Sequence, residues 1–121
     1  MFRNLFLLAY FSTFAAARAG DPVISEFMAS NQNFVVDEDG AHSDWIEIRN
    51  PDATPVSLNG CFLTDTATNK SKWAFPNMTL AGNSYLLVWA SGNDRRVVGQ
   101  PLHTNFNLSA SGEYLALGRM A

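Results

Sequence analysis

The densest group of potential metal ligands lies in a polar stretch around residues 31 to 44. Asp37, Asp39 and Asp44 flank Gly40, and hard cations such as calcium prefer several oxygen ligands from a flexible loop. The spacing lacks the third alternate ligand and the later glutamate of an EF-hand loop. The stretch therefore predicts either a calcium site, the sole cofactor that the sequence suggests, or an acidic turn that accepts local backbone hydrogen bonds.

A second group that could do chemistry is a pair of carboxylates, Glu26 and Glu47, on two predicted strands. A glycosidase needs two carboxylates about 5 to 9.5 Å apart, and neighbouring strands could supply that distance. The alternative is two outward-facing carboxylates, or partners for Arg49 and Lys72. No cleft can be inferred around them, so the pattern favours the structural alternative.

The remaining candidates for catalysis are weak. His42 and His103 are the two histidines of the chain, and neither has a His or Cys at the spacing of a zinc site, which needs three or four ligands. Both are predicted to be surface loop residues. The sequence has no Gly-x-Ser-x-Gly elbow and no phosphate-binding glycine loop. It therefore predicts a protein that is not an enzyme.

The first nineteen residues have the order of a secretory signal peptide. Arg3 precedes an apolar run from Leu5 to Ala17, and Ala17-Arg18-Ala19 supplies the small-x-small cleavage motif. The run is shorter than the about 20 residues that a spanning helix needs, and no later run replaces it. We predict a cleaved leader (residues 1–19), one domain (residues 20–121), no membrane span after cleavage, and a secreted or cell-envelope location.

The charge and cysteine content limit the possible partners and the source of stability. The chain has eight Lys and Arg against eleven Asp and Glu. Arg3 and Arg18 lie in the leader, so the remainder has six basic residues and a net charge of −5, which disfavours nucleic-acid binding. Cys61 is the single cysteine, so an internal disulfide is impossible, and its apolar neighbours predict a buried thiol.

Short apolar segments separated by turn residues follow from Asp21 onward, the pattern of an all-β sandwich or barrel. Ile46 and Ile48 alternate with Glu47 and Arg49, which predicts a strand with one buried face. The run 85–89 is apolar throughout, so we expect a central strand that is covered on both faces. Strands are predicted at 23–28, 44–49, 56–58, 62–64, 72–75, 84–90 and 113–117. The tryptophans in them favour core packing over the alternative of an exposed aromatic platform for sugars.

Several ordered motifs resemble the lamin-tail domain family. They are Glu26-Phe27-Met28-Ala29-Ser30-Asn31, Asp44-Trp45-Ile46-Glu47-Ile48-Arg49-Asn50, Leu58-Asn59-Gly60, Trp73-x-Phe75-Pro76 and Leu108-Ser109-Ala110-Ser111-Gly112-Glu113-Tyr114-Leu115. The resemblance extends from about Pro22 to Arg119 and implies an immunoglobulin-like β-sandwich without a catalytic set. The leader excludes a nuclear role, so the chain is more similar to the exported bacterial members of the family.

Two functions agree with these observations. The first is a non-catalytic scaffolding module outside the cytoplasm, which binds a protein, glycan or envelope partner. The second is an N-terminal accessory domain of a larger exported enzyme, because the family resemblance implies neighbouring hydrolase, adhesin-like or spore-coat-type kinase modules. Family members usually continue past the segment that resembles residues 113–119. We therefore expect either a domain incomplete at its C-terminus or an open strand edge able to self-associate.

Overall fold

The computed structural model describes residues 7–11, 20–110 and 113–119, and the regular elements within them are β-strands. No helix in this part of the chain has the length and apolar character needed to span a bilayer. The strands are β1 (Leu7–Phe11), β2 (Val23–Met28), β3 (Asp44–Arg49), β4 (Val56–Ser57), β5 (Cys61–Thr64), β6 (Trp73–Ala74), β7 (Thr79–Leu80), β8 (Tyr85–Ala90), β9 (Leu102–His103) and β10 (Glu113–Arg119).

The strands form two four-stranded sheets and one short pair. The first sheet has the order β1-β10-β5-β6, the second has β2-β3-β8-β9, and β4 pairs with β7. Neighbours are antiparallel except for β1 with β10 and β8 with β9, which are parallel. This all-β architecture confirms the predicted immunoglobulin-like sandwich, and the predicted strands at 23–28 and 44–49 coincide with β2 and β3.

The core lies between the two sheets and is filled by alternate residues of their strands. Ile46 and Ile48 of β3 and Val88 of β8 are wholly buried, as the alternation around Ile46 predicts. Burying one such side chain stabilises a fold by about 1.5–3 kcal/mol. Trp73 and Phe75 pack edge to face, with ring centroids 5.1 Å apart. Aromatic and aliphatic packing therefore stabilises this fold, whereas many small exported domains are stabilised by disulfides.

One expectation about β8 is wrong. The apolar run 85–89 does lie in a central strand, but Tyr85 is 56% exposed and Leu87 is 38% exposed on the outer face of the second sheet. Trp89 shares that outer face with them, yet it is buried and stacks beside the ring of His103. The continuous apolar run therefore predicted the central position of β8 correctly, but it did not indicate which face of the strand is covered.

Both ends of the sandwich domain meet at the first sheet. The guanidinium of Arg119 in β10 forms an ion pair of 2.5 Å with Asp21, and its other terminal nitrogen lies 3.7 Å from the sulfur of Cys61. Cys61 is wholly buried, and burial raises the pKa of its thiol. The prediction of a buried structural thiol is confirmed, since a thiol that stays protonated is a poor nucleophile.

The predicted leader contributes a strand to this sheet. β1 pairs with β10 from Leu7 beside Glu113 to Phe11 beside Leu117. Cleavage after Ala19 stays a prediction, and most of the leader, including the cleavage motif, lies outside the described residues. If cleavage occurs, it removes β1 and leaves the adjacent edge of β10 open.

A buried amide fixes the turn after β3. Asn50 is wholly buried, and its Nδ2 group lies 2.9, 3.1 and 3.2 Å from the carbonyl oxygens of Thr54, Leu80 and Ala81. Its Oδ1 atom accepts a hydrogen bond of 3.0 Å from the amide of Asp52. A single side chain therefore joins the β3–β4 turn to the β7–β8 turn.

Replacing this amide tests its contribution. We expect Asn50→Ala to lower the free energy of unfolding by about 3 kcal/mol, because several buried backbone groups lose their partner at once. Urea denaturation followed by tryptophan fluorescence measures the change. Asn59→Ala, in an exposed turn, is the matched control and should change it by less than about 0.5 kcal/mol. Equal losses in both variants would contradict this role of Asn50.

Candidate functional site

The acidic loop between β2 and β3 folds over the outer face of the second sheet. Met28, Trp45, Trp89 and His103 stand side by side across that face in the strand register. Met28, Trp89 and His103 are buried, although the preceding residue in each of their strands is the one that packs on the core, namely Phe27, Val88 and Leu102. The segment 31–43, which we call the covering loop, reaches this row through Glu38, whose carboxylate lies against His103.

Asp37 organises the covering loop from within. One of its carboxylate oxygens accepts hydrogen bonds from the amides of Asp39 (2.9 Å) and Ala41 (3.0 Å), and the other accepts one from the hydroxyl of Ser43 (2.5 Å). Burial acts to raise the pKa of Asp37, but the bonds from Ser43, Ala41 and Asp39 together leave that pKa lowered. Gly40 completes the turn at φ 79°, a conformation that glycine adopts without strain.

Asn31 fixes the beginning of the same loop. Its Nδ2 group donates to the carbonyl oxygens of Val35 (2.8 Å) and Ser43 (2.9 Å), while its Oδ1 atom accepts from the amide of Phe34 (3.2 Å). Its own amide donates to the carboxylate of Asp44 (3.2 Å). Because Asn31 is buried, these bonds are shielded from water and hold both ends of the covering loop together.

His103 connects the covering loop to the sheet. Its Nε2 atom lies 2.9 Å from both carboxylate oxygens of Glu38, and its Nδ1 atom lies 2.7 Å from the hydroxyl of Ser91. A carboxylate can only accept hydrogen bonds, so Nε2 carries a proton, and in the neutral ring Nδ1 accepts the hydroxyl proton of Ser91. Burial acts to raise the pKa of Glu38, but the bonds from His103 and Arg95 outweigh it and leave that pKa lowered.

The prediction that His103 is a surface loop residue is therefore wrong. Its side chain has no solvent exposure, and it lies in β9 beside Trp89, with ring centroids 6.5 Å apart. The polar residues that follow it, Thr104 and Asn105, suggested a loop. The one sequence signal for a strand here was alternation, because Leu102 is apolar, His103 is polar, and a strand places neighbouring residues on opposite faces.

Arg95 joins the covering loop to the loop between β8 and β9. Its guanidinium forms ion pairs of 2.6 Å with Glu38 and 2.7 Å with Asp39. The β8–β9 loop is shaped by backbone bonds between Arg95 and His103, and Asp94 accepts a hydrogen bond of 3.0 Å from the indole of Trp73. Both loops are thereby held against the sandwich at fixed positions.

The chain Ser91, His103 and Glu38 contains the residue types of a hydrolase triad but not its geometry. In such triads the serine contacts Nε2 of the histidine and the acid contacts Nδ1. Here Ser91 contacts Nδ1 of His103, and Glu38 contacts Nε2. The hydroxyl of Ser91 also accepts a bond of 3.1 Å from the amide of Asn93, and the ring is inaccessible to a substrate. We infer that this chain of hydrogen bonds holds the covering loop in place.

The carboxylates of the calcium hypothesis have separate partners. Asp37 accepts bonds from its own loop, Asp39 pairs with Arg95, and Asp44 accepts the amide of Asn31. Burial raises the pKa of Asp44. No group of three His, Cys, Asp or Glu side chains in the described part of the chain is placed to hold a metal ion. A calcium site at Asp37, Asp39 and Asp44 stays a prediction.

The carboxylate pair and His42 have ordinary structural surroundings. Glu26 and Glu47 are direct register partners on β2 and β3, next to a bulge in β2, and Glu47 accepts a hydrogen bond of 2.8 Å from Ser25. His42 is exposed, with its Nδ1 atom 3.3 Å from the carbonyl oxygen of Val35. Sequence reasoning thus identified neighbouring carboxylates correctly and missed Glu38, which makes the longer-range connection.

Exposed apolar side chains lie in both of these loops. Phe34 is 64% exposed and Val97 is 63% exposed. Val97 lines an open groove of about 460 Å³ together with Glu38, Arg95 and Arg96. Exposed apolar side chains are typical of binding surfaces where they form one patch. We call this group the loop-tip surface, and its members are Phe34, Val35, Val36, Val97 and Val98.

Comparison with known proteins gives one match. A family model described as Lamin Tail Domain matches residues 15–119. The match begins within the predicted leader and includes every described strand except β1. No curated protein and no solved structure matches the chain.

The lowered pKa of Asp37 predicts a pH dependence of stability. The folded pKa lies below the unfolded value of about 3.9, so the stabilisation is present above that value and is lost as the pH falls through the folded pKa. We expect Asp37→Asn to be about 2 kcal/mol less stable near pH 7 and to approach the parent chain in strong acid. Urea titrations at a series of pH values measure the free energy of unfolding of both chains. Asp52→Asn, in an exposed turn, is the control, and parallel curves for Asp37→Asn and the parent would contradict the role of Asp37.

Calcium binding can be tested in the same assay. Because the three carboxylates are already bonded to other donors, calcium would have to displace Arg95 and several loop amides. We expect millimolar calcium to leave the unfolding temperature unchanged. A calcium-dependent rise in that temperature that disappears in Asp37→Asn would instead establish the site, since a ligand that binds the folded state stabilises it.

Proposed function

The chain belongs to the lamin tail domain family, and we propose on that basis that it is a non-catalytic interaction module that works outside the cytoplasm. Its role is to hold a protein partner at the cell envelope or in the secreted fraction. The signal-peptide pattern of residues 1–19 supports the location. The β-sandwich and the family support the absence of a catalytic role.

The observation that carries this proposal is the loop-tip surface. Its apolar side chains are exposed although the protein has a well-filled core, and the two loops that carry them are held by an ion pair and by a partly buried hydrogen bond. A rigid surface loses less conformational entropy on binding than a mobile one. The covering loop and the β8–β9 loop are therefore prepared to bind without prior rearrangement.

The chemistry of the surface favours a protein as the partner. The centre of a protein interface is typically apolar and aromatic, surrounded by a polar rim. Phe34 and Val97 offer exposed apolar side chains, while Glu38, Arg95 and Arg96 place charges of both signs in the groove that Val97 lines. The acidic balance of the domain argues against a phosphate-rich partner such as nucleic acid.

Binding to native envelopes tests the proposal. The exported chain, labelled at its amino groups, is added to envelopes from the cells that produce it, and saturable binding is expected. In Phe34→Ser/Val97→Ser we expect at least about tenfold weaker affinity, because two apolar anchors each contribute about 1 kcal/mol or more. Pretreating the envelopes with protease should remove the binding if the partner is a protein.

The matched control is Tyr85→Ser, which removes an exposed apolar side chain from the outer face of β8, outside the loop-tip surface. It should bind as the parent chain does. Equal affinities for the loop variant and the parent, or the absence of saturable binding, would refute the proposal.

A further inference from the structure

One edge of β10 is paired with β1, a strand that cleavage of the predicted leader would remove. β10 pairs on one side with β5, from Ala116 beside Thr64 to Arg119 beside Cys61. On its other side it pairs with β1, which belongs to the predicted leader. Cleavage after Ala19 would leave the backbone amides and carbonyls on that side of residues 113–117 without their β1 partner.

An edge of this kind is a template for another strand. The residues from 115 to 118 are buried in the structure, no proline interrupts β10, and its charged residues stand at its two ends. Natural sheets protect their edges with bulges, prolines, central charges or very short strands. None of these devices is present in β10.

The other described sheet edges are protected. β6 and β9 are two residues long. β2 is longer, but its register shifts between Ile24 and Glu26, and a bulge twists an edge away from further pairing. An incoming strand would therefore find its best template at β10.

The sequence of β10 is complementary to itself in one orientation. In an antiparallel pair centred on Ala116, Glu113 stands opposite Arg119, Tyr114 opposite Gly118, and Leu115 opposite Leu117. Opposite charges across strands attract, and an aromatic residue opposite a glycine covers the gap that the glycine leaves. A parallel, in-register pair would instead place Glu113 beside Glu113 and Arg119 beside Arg119.

We propose that removal of the leader converts β10 into a dimer interface. Two mature chains pair through antiparallel β10 strands around a two-fold axis at Ala116, and the first sheets join in the order β6-β5-β10-β10-β5-β6. The leader strand β1 blocks this edge until cleavage. The proposal shares the assumption of export with the proposed function but does not depend on the loop-tip surface.

Native mass spectrometry and light scattering of the exported chain test the dimer. The full gene product is expressed with its own leader and recovered after export. We expect a subunit mass that begins at or near Gly20 and an assembly of twice that mass. A monomer at every concentration up to about 100 µM, where a micromolar dimer would be formed, overturns the proposal. So does a subunit that keeps residues 1–19.

A charge variant tests the register. In Glu113→Lys, each dimer would contain two pairs of opposed positive charges, and we expect the dimer dissociation constant to rise at least about tenfold. Glu26→Lys changes the same charge on β2, in the other sheet, and should leave the dimer intact. Equal dissociation constants for Glu113→Lys and the parent chain would contradict the antiparallel register.

Crosslinking tests the two-fold axis without relying on affinity. Opposed residues of an antiparallel pair have Cα atoms about 4.5 or 5.5 Å apart, a distance that a disulfide can bridge. Ala116→Cys should therefore form a disulfide-linked dimer on mild oxidation. Ser57→Cys, exposed on β4, should not. A failure of Ala116→Cys to crosslink in a chain that is dimeric would overturn the proposed β10 interface.

Discussion

The hydrogen bond between the buried ring of His103 and the carboxylate of Glu38 is the interaction on which the arrangement of the two loops depends. It joins residues 65 positions apart in the chain and brings an acidic loop down onto an apolar row of the second sheet. The ion pairs of Arg95 with Glu38 and Asp39 strengthen the same connection. The imidazole of His103 and the guanidinium of Arg95 together tie the covering loop to the sheet and to the β8–β9 loop.

Strands such as β3 and β8 could be predicted because their cause is local, whereas β1, β7 and β9 were not predicted. Ile46 and Ile48 alternate with charged residues, and the apolar segment around Val88 is bounded by turn residues, so each strand can be recognised within a few positions. The burial of Cys61 follows from its apolar neighbours in the same way. The ordered lamin-tail motifs then identified the sandwich that these strands build.

The site could not be predicted to the same extent because its causes are distant in sequence. Nothing near Glu38 indicates that His103 is its partner, and nothing in the run 85–89 shows that Trp89 is buried while Tyr85 is exposed. Of the two alternatives for the acidic stretch, the turn that accepts local hydrogen bonds is seen at Asp37, whose carboxylate accepts from two amides and a hydroxyl of its own loop. Carboxylates that accept hydrogen bonds within a turn and carboxylates that coordinate a cation have the same residue pattern in the sequence.

The ion pair between Asp21 and Arg119 has a consequence for how the chain acquires its fold. It joins residues 98 positions apart, so it cannot form until β10 has been synthesised. Contacts of such long range slow the folding of β-sandwiches. Glu38 and His103 are also far apart in the sequence, so the covering loop too depends on residues that are synthesised much later than its own.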